Sequence, residues 1–345
     1  PIYGDHWRAQ VDVKLLKPEK LKNVGISALF ITGKTSYSAP LPPNFVTPVD
    51  SSDPQAVAAQ QAALAADLAD SSLYSFWFAS LAVSGLQVPL SPIPLQLTGI
   101  EGFAYHHMQR ASPTAFPEPC RRNKLGLGVG FDFIDLPMTG KIVKLHMQLE
   151  VIINEGAWAM EMYTQGKIGN KGGASGNFPP IATVTGIMGY YSALKSFKGE
   201  IDIVFNTSPL LCAGGKIKFD FDGLNHTWYV SAGTQQDPMF AKLLCKDWLS
   251  ISAFVEAQNT GFKAGMDLNI DIKAKSPWID FGIVEVRGTA EMYLQFSALV
   301  DLSFEPEFRL NEAYIYLAAG ASVGIDWETA ANSGHFTIAG IAVAG

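Results

Sequence analysis

The feature that most constrains this chain is a period-two alternation of apolar and polar residues in two unusually long runs. In residues 284–300, Val, Ala, Met, Leu and Phe side chains share one parity and mostly polar side chains share the other. Residues 313–327 repeat the pattern. Successive side chains of a strand point to opposite faces, so each run predicts a strand on the order of 50 Å long, far beyond the usual length. Pro306 marks a turn between them, which predicts one very long hairpin.

Shorter alternating runs extend the same interpretation to most of the chain. Period two is typical of a strand with one buried and one solvated face, so we expect the apolar parity to be buried and the polar parity to face water. The predicted fold is mainly β, with long antiparallel strands and hairpins in an extended sheet or sandwich. These shorter runs cover residues 11–15, 26–30, 143–153, 201–205, 217–221 and 264–272.

Two helices are predicted beside the strands. Residues 55–70 are rich in alanine and follow Pro54, which suits the first turn of a helix. Asp237-Pro238 begins a second, short helix over about residues 238–248. Helical spacing of four side chains gives that segment an apolar stripe, formed by Phe240, Leu243, Leu244 and Trp248.

Proline density and the change to regular alternation predict two domains. Prolines cluster through residues 71–125, which predicts an irregular segment that wraps a surface. Residues 1–125 are therefore expected to be a proline-rich wrapping region with some strands and the first helix. Residues 126–345 are expected to form the extended antiparallel β domain, which we expect to continue beyond residue 345.

Composition excludes several classes of protein. The net charge of −7 argues against a nucleic-acid partner. Three cysteines in 345 residues are too few for a disulfide scaffold. Charged residues make up only 17% and hydrophobic residues 48%, but no uninterrupted apolar run reaches the roughly 18 residues of a transmembrane helix.

The motifs of common catalytic and metal sites are missing from the sequence. His106 and His107 are adjacent, so on a strand they would point to opposite faces and could share a metal only through a special turn. The glycines of residues 126–130 lack the following helix of a phosphate loop. No nucleophile elbow or H-E-x-x-H occurs. We expect no enzyme, no cofactor and no metal, with an unrecognised hydrolase as the remaining alternative.

The cysteines allow at most one disulfide and one free thiol. Cys120, Cys212 and Cys245 fit no zinc or haem spacing. The sequence leaves their pairing open and favours an interpretation of all three as small buried apolar residues.

Two sets of residues are candidates for contacts with other molecules. Tyr293, Tyr314 and Tyr316 lie on the polar parity of the long hairpin, where aromatic side chains suit a protein interface. Arg121 and Arg122 lie in the proline-rich segment and are candidates for an acidic partner or a lipid head group.

The segment Trp228-Tyr229-Val230-Ser231-Ala232-Gly233-Thr234, followed by Asp237-Pro238 and Leu243-Leu244, resembles part of large β-rich exported proteins of Bacteroidetes-type bacteria. There a similar sequence leads from a strand into a short helix, and long Ala/Gly-rich alternating strands follow. The resemblance covers about residues 198–345. It implies a secreted or cell-surface structural protein and brings no catalytic residues.

These observations predict a non-enzymatic structural component of a bacterial cell-surface or secreted multi-subunit complex. Its partners would be other protein subunits or further parts of the same chain, bound through sheet faces and edges, because open sheet edges have to be paired or covered. One alternative is an outer-membrane β-barrel, favoured by low charge and alternating strands. Another is a glycan- or lipid-binding β module that uses Trp158, Tyr163, Tyr190 and Tyr191.

Overall fold

The structure is a computed structural model. It describes residues 6–14, 24–40, 46, 54–90, 95–110, 112, 115–135, 143–154, 156–169, 180–206, 211–246, 248–280, 284–329 and 332–345.

Most of the chain is β-strand, as the alternation predicts. Strands account for 75% of the residues and helix for 5%, and the strands form one large antiparallel sheet. Within the described residues there is a single helix, α1 (Pro54–Ala69). The strands are β1 (His6–Lys14), β2 (Gly25–Thr35), β3 (Tyr74–Pro89), β4 (Leu95–His106), β5 (Met108–Gln109), β6 (Glu118–Pro119), β7 (Asn123–Asp135), β8 (Val143–Asn154), β9 (Ala157–Ile168), β10 (Ala182–Tyr191), β11 (Ser196–Asn206), β12 (Leu211–Asp222), β13 (Thr227–Ala232), β14 (Met239–Leu243), β15 (Leu249–Gln258), β16 (Gly261–Lys275), β17 (Ile279–Asp280), β18 (Glu285–Ser303), β19 (Arg309–Glu328) and β20 (Ser333–Ala344).

The chain divides into two compact units. Unit 1 comprises residues 1–201 and 219–227, and unit 2 comprises residues 202–218 and 228–345. The domain boundary expected at residue 126 lies inside β7.

Unit 1 contains an antiparallel meander of eight strands. β1, β2, β3, β4, β7, β8, β9 and β10 each pair with the next in that order. The reversal between β8 and β9 is tight, and Gly156 adopts φ +77 there, a conformation that glycine takes without a steric cost. The short strands β5 and β6 pair with each other in a separate two-stranded piece.

Unit 2 is built on longer strands. β15, β16, β18, β19 and β20 each pair antiparallel with the next in that order. β13 and β14 both pair with β15, and β17 pairs with the start of β18. The predicted long hairpin is confirmed, because β18 and β19 pair from Glu285–Glu328 to Ser303–Arg309. The predicted alanine-rich helix is confirmed as α1.

The predicted short helix over residues 238–248 is wrong. Residues 239–243 form β14, whose Phe240 and Ala241 pair with Ser252 and Ile251 of β15. A turn follows, in which Leu244 and Cys245 have positive φ angles. Pairing on both sides, with β12 as well as β15, satisfies the backbone of this segment and overrides its helical spacing.

The expectation that residues 71–125 are irregular is also wrong for most of that segment. Residues 74–89 and 95–106 form β3 and β4, two full strands of the unit 1 meander. Among the described prolines of this segment, Pro89 ends β3 and Pro119 ends the two-residue strand β6, and a strand end is a position where proline is tolerated. Of the remainder, the described residues 107–110, 112 and 115–122 are named here the wrapping segment. Met108 of this segment packs against Phe76, Phe78 and Phe103 of the sheet.

Candidate functional site: the two faces of the unit 1 sheet

The unit 1 sheet has one apolar and one polar face, and their exposure is the reverse of the expectation. On β8, the apolar-parity side chains Leu149 and Ile153 are 40% and 41% exposed. Their opposite-parity neighbours Gln148 and Glu150 are 8% and 3% exposed. Alternation correctly predicted two unlike faces, but the prediction that the apolar one is buried is wrong.

The apolar face is continuous across all eight strands of the meander. Directly paired residues lie on the same face of a sheet, so the register traces a row from strand to strand. Every member of the row that crosses the middle of the sheet is apolar or glycine. The row consists of Val11, Ala28, Leu81, Gly102, Val129, Leu149, Met162 and Met188.

An aromatic row borders this apolar face along one edge of the sheet. Trp7 of β1 and Trp77 of β3 both pair with Thr32 of β2, which lies between them near the ends of the three strands. Trp158 lies near the start of β9 and stands 5.2 Å, between ring centroids, from Tyr190 near the end of β10. All four aromatic side chains share the parity of the apolar face. The name aromatic row is used below for these four residues.

The polar face carries a buried hydrogen-bonded cluster centred on Glu150. The Tyr105 hydroxyl donates to Glu150 Oε1, and Gln148 Nε2 donates to Oε2 at 3.2 Å. Arg110 Nε lies 3.9 Å from the same Oε2. Glu161 is paired directly opposite Glu150 and accepts a hydrogen bond from the Tyr191 hydroxyl at 2.8 Å. These contacts satisfy carboxylates that would otherwise be costly to bury.

Alternation did not predict this cluster, because the polar parity was expected to face water. A signal was present: tyrosines as well as carboxylates occupy that parity at Tyr105, Tyr163 and Tyr191. Large rings among acidic residues are better suited to a packed polar interior than to a solvated face.

The wrapping segment covers part of the polar face. Met108 and Cys120 are fully buried, and Met108 joins the cluster formed by Phe76, Phe78 and Phe103. The Arg110 guanidinium lies over the Phe103 ring, 4.1 Å from its centroid. Burial raises the pKa of the Cys120 thiol, so it is held as an unreactive neutral group.

Glycines let the aromatic rings of this core lie flat on the neighbouring strand. The Tyr105 ring occupies the place of a side chain at Gly126, and the Phe103 ring does the same at Gly128. The glycines that resembled a phosphate loop therefore serve packing between β4 and β7.

The candidate interaction residues Arg121 and Arg122 lie at the end of the wrapping segment. Arg121 forms an ion pair with Asp70, donates to the Ser72 carbonyl oxygen at 2.6 Å and lies over the Tyr74 ring. The charge of Arg121 is therefore balanced within the molecule by Asp70. These contacts join the wrapping segment to the connection between α1 and β3. Arg122 is partly exposed.

The candidate tyrosines of the long hairpin lie on one face, as their parity predicts. Tyr293 covers Gly320 on the neighbouring strand. Tyr314 is exposed and pairs with Leu299, and Tyr316 is partly buried and pairs with Ser297. That these tyrosines bind a partner stays a prediction.

The residues proposed for a glycan- or lipid-binding module do not form one site. Trp158 and Tyr190 belong to the apolar face, whereas Tyr163 and Tyr191 point to the polar face and are buried. The sheet itself separates the two pairs.

His106 and His107 do not point to opposite faces, contrary to expectation. His107 adopts φ 50, which is the special turn that would be needed, and its ring stacks on His106 with centroids 3.9 Å apart. His107 Nδ1 is 2.9 Å from the Ser75 carbonyl oxygen. In the part of the chain that the structure describes, no group of three or more potential ligands is placed to hold a metal ion.

The cysteines divide into one disulfide and one thiol. Cys212 and Cys245 are bonded to each other within unit 2, while Cys120 is free and buried. The interpretation of all three as small buried apolar residues is confirmed for Cys120 and wrong for the other two.

Unit 2 also exposes its apolar parity, over a much greater length. Ile315 and Val323 of β19 are 66% and 60% exposed, and Ile338 of β20 is 63% exposed. The same parity on β18 runs from Val286 to Leu302, which is about 53 Å at ~3.3 Å per residue.

Comparisons of this chain with protein families, with curated proteins and with solved structures find no match. Among the described helices, none combines the length and the apolar character of a membrane span.

Proposed function

We propose that unit 1 is the membrane-embedded part of a non-enzymatic bacterial outer-membrane protein, with its apolar face in contact with lipid hydrocarbon. The observation that carries the proposal is the continuous exposed apolar face of the eight-strand meander, bordered at one edge by the aromatic row. Lipid-facing strands alternate apolar outward and polar inward, with aromatic residues at the interface.

The length of the apolar face fits a bilayer. From Trp158 to Ile168 on β9 there are ten residue steps, or about 33 Å at ~3.3 Å each. Strands tilted by roughly 40° would bring this to about 25 Å, the height of the apolar band in outer-membrane proteins.

The buried Glu150 cluster and the disulfide agree with this proposal. A sheet whose outer face meets lipid has to place its polar side chains on the other face, where Glu150 and its partners lie. Disulfides form and persist outside the cytoplasm, so the Cys212–Cys245 bond supports an exported protein.

Spin labels on the two faces test the proposal directly. In a Cys120→Ser background, Leu149→Cys places a label on the apolar face and Gln165→Cys places one on the polar face of the adjacent strand. With the protein in lipid vesicles, we expect the label at 149 to be relaxed by oxygen and shielded from a water-soluble nickel complex. The label at 165 is the matched control and should be open to the nickel complex. Equal nickel access at both positions would refute a lipid-facing sheet.

A second candidate function, a structural assembly contact, is favoured for unit 2 by the length of its apolar face. About 53 Å exceeds a hydrocarbon core of roughly 30 Å, so lipid alone cannot cover Val286 to Leu302. Protein contacts would cover the rest, as the prediction of a surface-assembly component requires.

The oligomeric state tests this second candidate. We expect the purified protein to associate, and Val323→Glu on the exposed apolar parity to dissociate it in light-scattering measurements. The matched control Ser322→Glu introduces the same charge on the opposite parity and should leave the assembly intact. A monomeric wild-type protein would contradict the candidate.

A further inference from the structure

Two lysines face each other across the β8–β9 pair of unit 1. Lys144 and Lys167 are directly opposite in the register, and both are exposed. Like charges at directly opposed positions destabilise strand pairing. The side chain of neither lysine forms an ion pair or hydrogen bond with a residue that the structure describes. An arrangement that repels itself and lacks a counter-ion is what a bound anion would stabilise.

The two lysines line a cavity on the polar face. Its volume is about 420 Å³, and Thr98 and Gln165 add neutral polar groups to its wall. Phe133 is among the apolar residues of the lining. A concave site with a few convergent polar groups on an apolar wall is the usual form of a small-ligand site.

His146 contributes a third nitrogen-bearing side chain, and Asp132 orients it. His146 Nδ1 lies 2.8 Å from Asp132 Oδ1, which fixes the ring and directs the proton of Nδ1 to the carboxylate. Asp132 is the single carboxylate among the lining residues. Two lysines against one aspartate leave the lining with a net charge of +1 before His146 is counted. The hydrogen bond to Asp132 raises the pKa of His146, and the protonated ring presents Nε2–H as a second donor.

Two further carboxylates lie near the cavity. Glu101 lies beside Gly130, which His146 also approaches, and Asp135 accepts a hydrogen bond from the backbone N–H of Val143 at 3.4 Å. Neither residue belongs to the lining, so Asp132 is the carboxylate that the lining itself presents.

We propose that Lys144, Lys167 and His146 form a binding site for a phosphate monoester group on the polar face of unit 1. Ammonium groups bind phosphate oxygens as point charges, and the side-chain amide of Gln165 can donate to a remaining oxygen. Lys144 is the second residue of β8 and Lys167 the penultimate residue of β9, so the site lies at the sheet edge opposite the aromatic row. The phosphate is that of a lipid head group or of a free phosphorylated molecule.

The inference stands on the strand register and the cavity, so it does not require unit 1 to be embedded in lipid. Only a lipid head group as the source of the phosphate requires that unit 1 contact a membrane. Failure of the spin-label test would leave the site in place, and failure of the site would leave the lipid-facing sheet in place.

Calorimetry with the detergent-solubilised full chain and inorganic phosphate tests the site. We expect wild-type protein to bind phosphate, and Lys144→Gln with Lys167→Gln to weaken binding about tenfold or more, as for the loss of charged hydrogen bonds. Lys14→Gln is the matched control, since it removes an exposed charge from the end of β1 without touching the cavity. The single substitutions Lys144→Gln and Lys167→Gln relieve the repulsion with the least disturbance and provide a folded variant if the double substitution fails to fold.

A second arm distinguishes the two sources of phosphate. Phosphatidylcholine vesicles with and without phosphatidic acid are mixed with the same variants. Tighter binding to the phosphatidic acid vesicles than to inorganic phosphate, lost in the lysine variants, identifies a head group; binding of inorganic phosphate with no gain from those vesicles identifies a free molecule. The proposal is overturned if wild-type protein binds neither probe, if the lysine variants bind both as wild type does, or if Lys14→Gln weakens binding equally.

Discussion

Units 1 and 2 use the same alternation of apolar and polar residues at different lengths, and the difference changes what can cover the apolar parity. In unit 1, the apolar stretch from Trp158 to Ile168 is about as long as a bilayer core is thick. In unit 2, the stretch from Val286 to Leu302 is longer than any bilayer core. Strand length, and not hydrophobicity, therefore separates a face suited to lipid from one that needs protein.

The units also differ in how they treat the opposite face. Unit 1 buries carboxylates and tyrosines there and covers part of the face with the wrapping segment. Unit 2 buries residues such as Phe254 and Leu299 on that face, leaves Tyr314 exposed and covers Tyr316 only in part. The polar face of unit 1 is therefore an interior that the chain itself covers in part. The corresponding face of unit 2 is a surface that stays open to further contacts.

The largest expected loss of stability follows from the removal of a buried side chain on the covered face of unit 1. Phe76 is 1% exposed and packs in the cluster beneath the wrapping segment. We expect Phe76→Ala to lower the free energy of unfolding by about 3–5 kcal/mol, as for buried aromatic residues in general. Phe336→Ala is the control in unit 2, where the ring is exposed, and should change it by about 0.5 kcal/mol or less. Equal losses in urea unfolding would show that the two units do not differ as described.

The next effect concerns the depth of the apolar face of unit 1 in lipid. Leu149 lies near the middle of the face. In protein folded into vesicles, we expect Leu149→Arg to lower the free energy of unfolding by about 2–4 kcal/mol, because a cation at the bilayer midplane loses its hydration. Ile168→Arg, on the same face at its border, should cost about 0–1 kcal/mol. Urea unfolding from vesicles measures both. A cost that is independent of depth would indicate a protein cover instead of lipid.

Both cysteines of the disulfide belong to unit 2, so its removal tests whether the two units unfold separately. Cys212 and Cys245 are separated by 33 positions in the chain. Loss of a crosslink of this kind lowers the free energy of unfolding by roughly 2–4 kcal/mol. We expect Cys212→Ser with Cys245→Ser to increase hydrogen exchange in β12 and β14 and to leave β3 and β4 unchanged. Exchange that rises equally in both units would show that they unfold together.

The smallest effect concerns the turn after β12, which belongs to unit 1 but lies outside its eight-strand meander. Asp222 accepts hydrogen bonds from the Asn225 side chain at 2.8 Å and from the Leu224 backbone N–H at 2.9 Å. The Asn225 side chain is the main cause of a lowered Asp222 pKa. Asp222→Ala should cost about 0.5–1 kcal/mol at neutral pH, the lower part of the hydrogen-bond range, because the turn is exposed.

The pH dependence of that cost follows from the lowered pKa. The contribution of Asp222 is fully present above the ordinary aspartate pKa of about 3.9. It is lost as the pH falls through the lower pKa of the folded state, because the unfolded chain binds the proton more tightly and protonation removes the charge that accepts these hydrogen bonds. Urea midpoints of wild type and variant should therefore converge in acid. A difference that persists at low pH would assign the effect to packing.

The sequence was sufficient to predict the strands with regular alternation, but it did not predict β3, β4 or β14, and it did not predict what each face of the sheet meets. Period two located β8 and the β18–β19 hairpin because alternation is a local property of the backbone. It gave the wrong environment to Leu149 and Glu150, since the same alternation serves a sheet with either face outward. The segment at residues 239–243 was mistaken for a helix because its pairing with β12 and β15 is set by residues distant in sequence.

The candidate sites show the same limit. Lys144 and Lys167 are distant in sequence, and only the β8–β9 register makes them direct neighbours. The His106–His107 stack depends on one backbone angle at His107, which no periodicity reveals. Where a feature depends on register or on a single dihedral angle, composition and spacing have no information about it.

The long hairpin has a mechanical consequence. β18 and β19 are paired over nearly their whole length, and ladder hydrogen bonds lie perpendicular to the strands. A force that pulls the two strands past each other along their axes loads all of these bonds together, whereas a force that separates them at one end breaks the bonds one after another. The hairpin therefore resists tension along its axis far better than peeling across it, so the direction of the load would decide how firmly it holds.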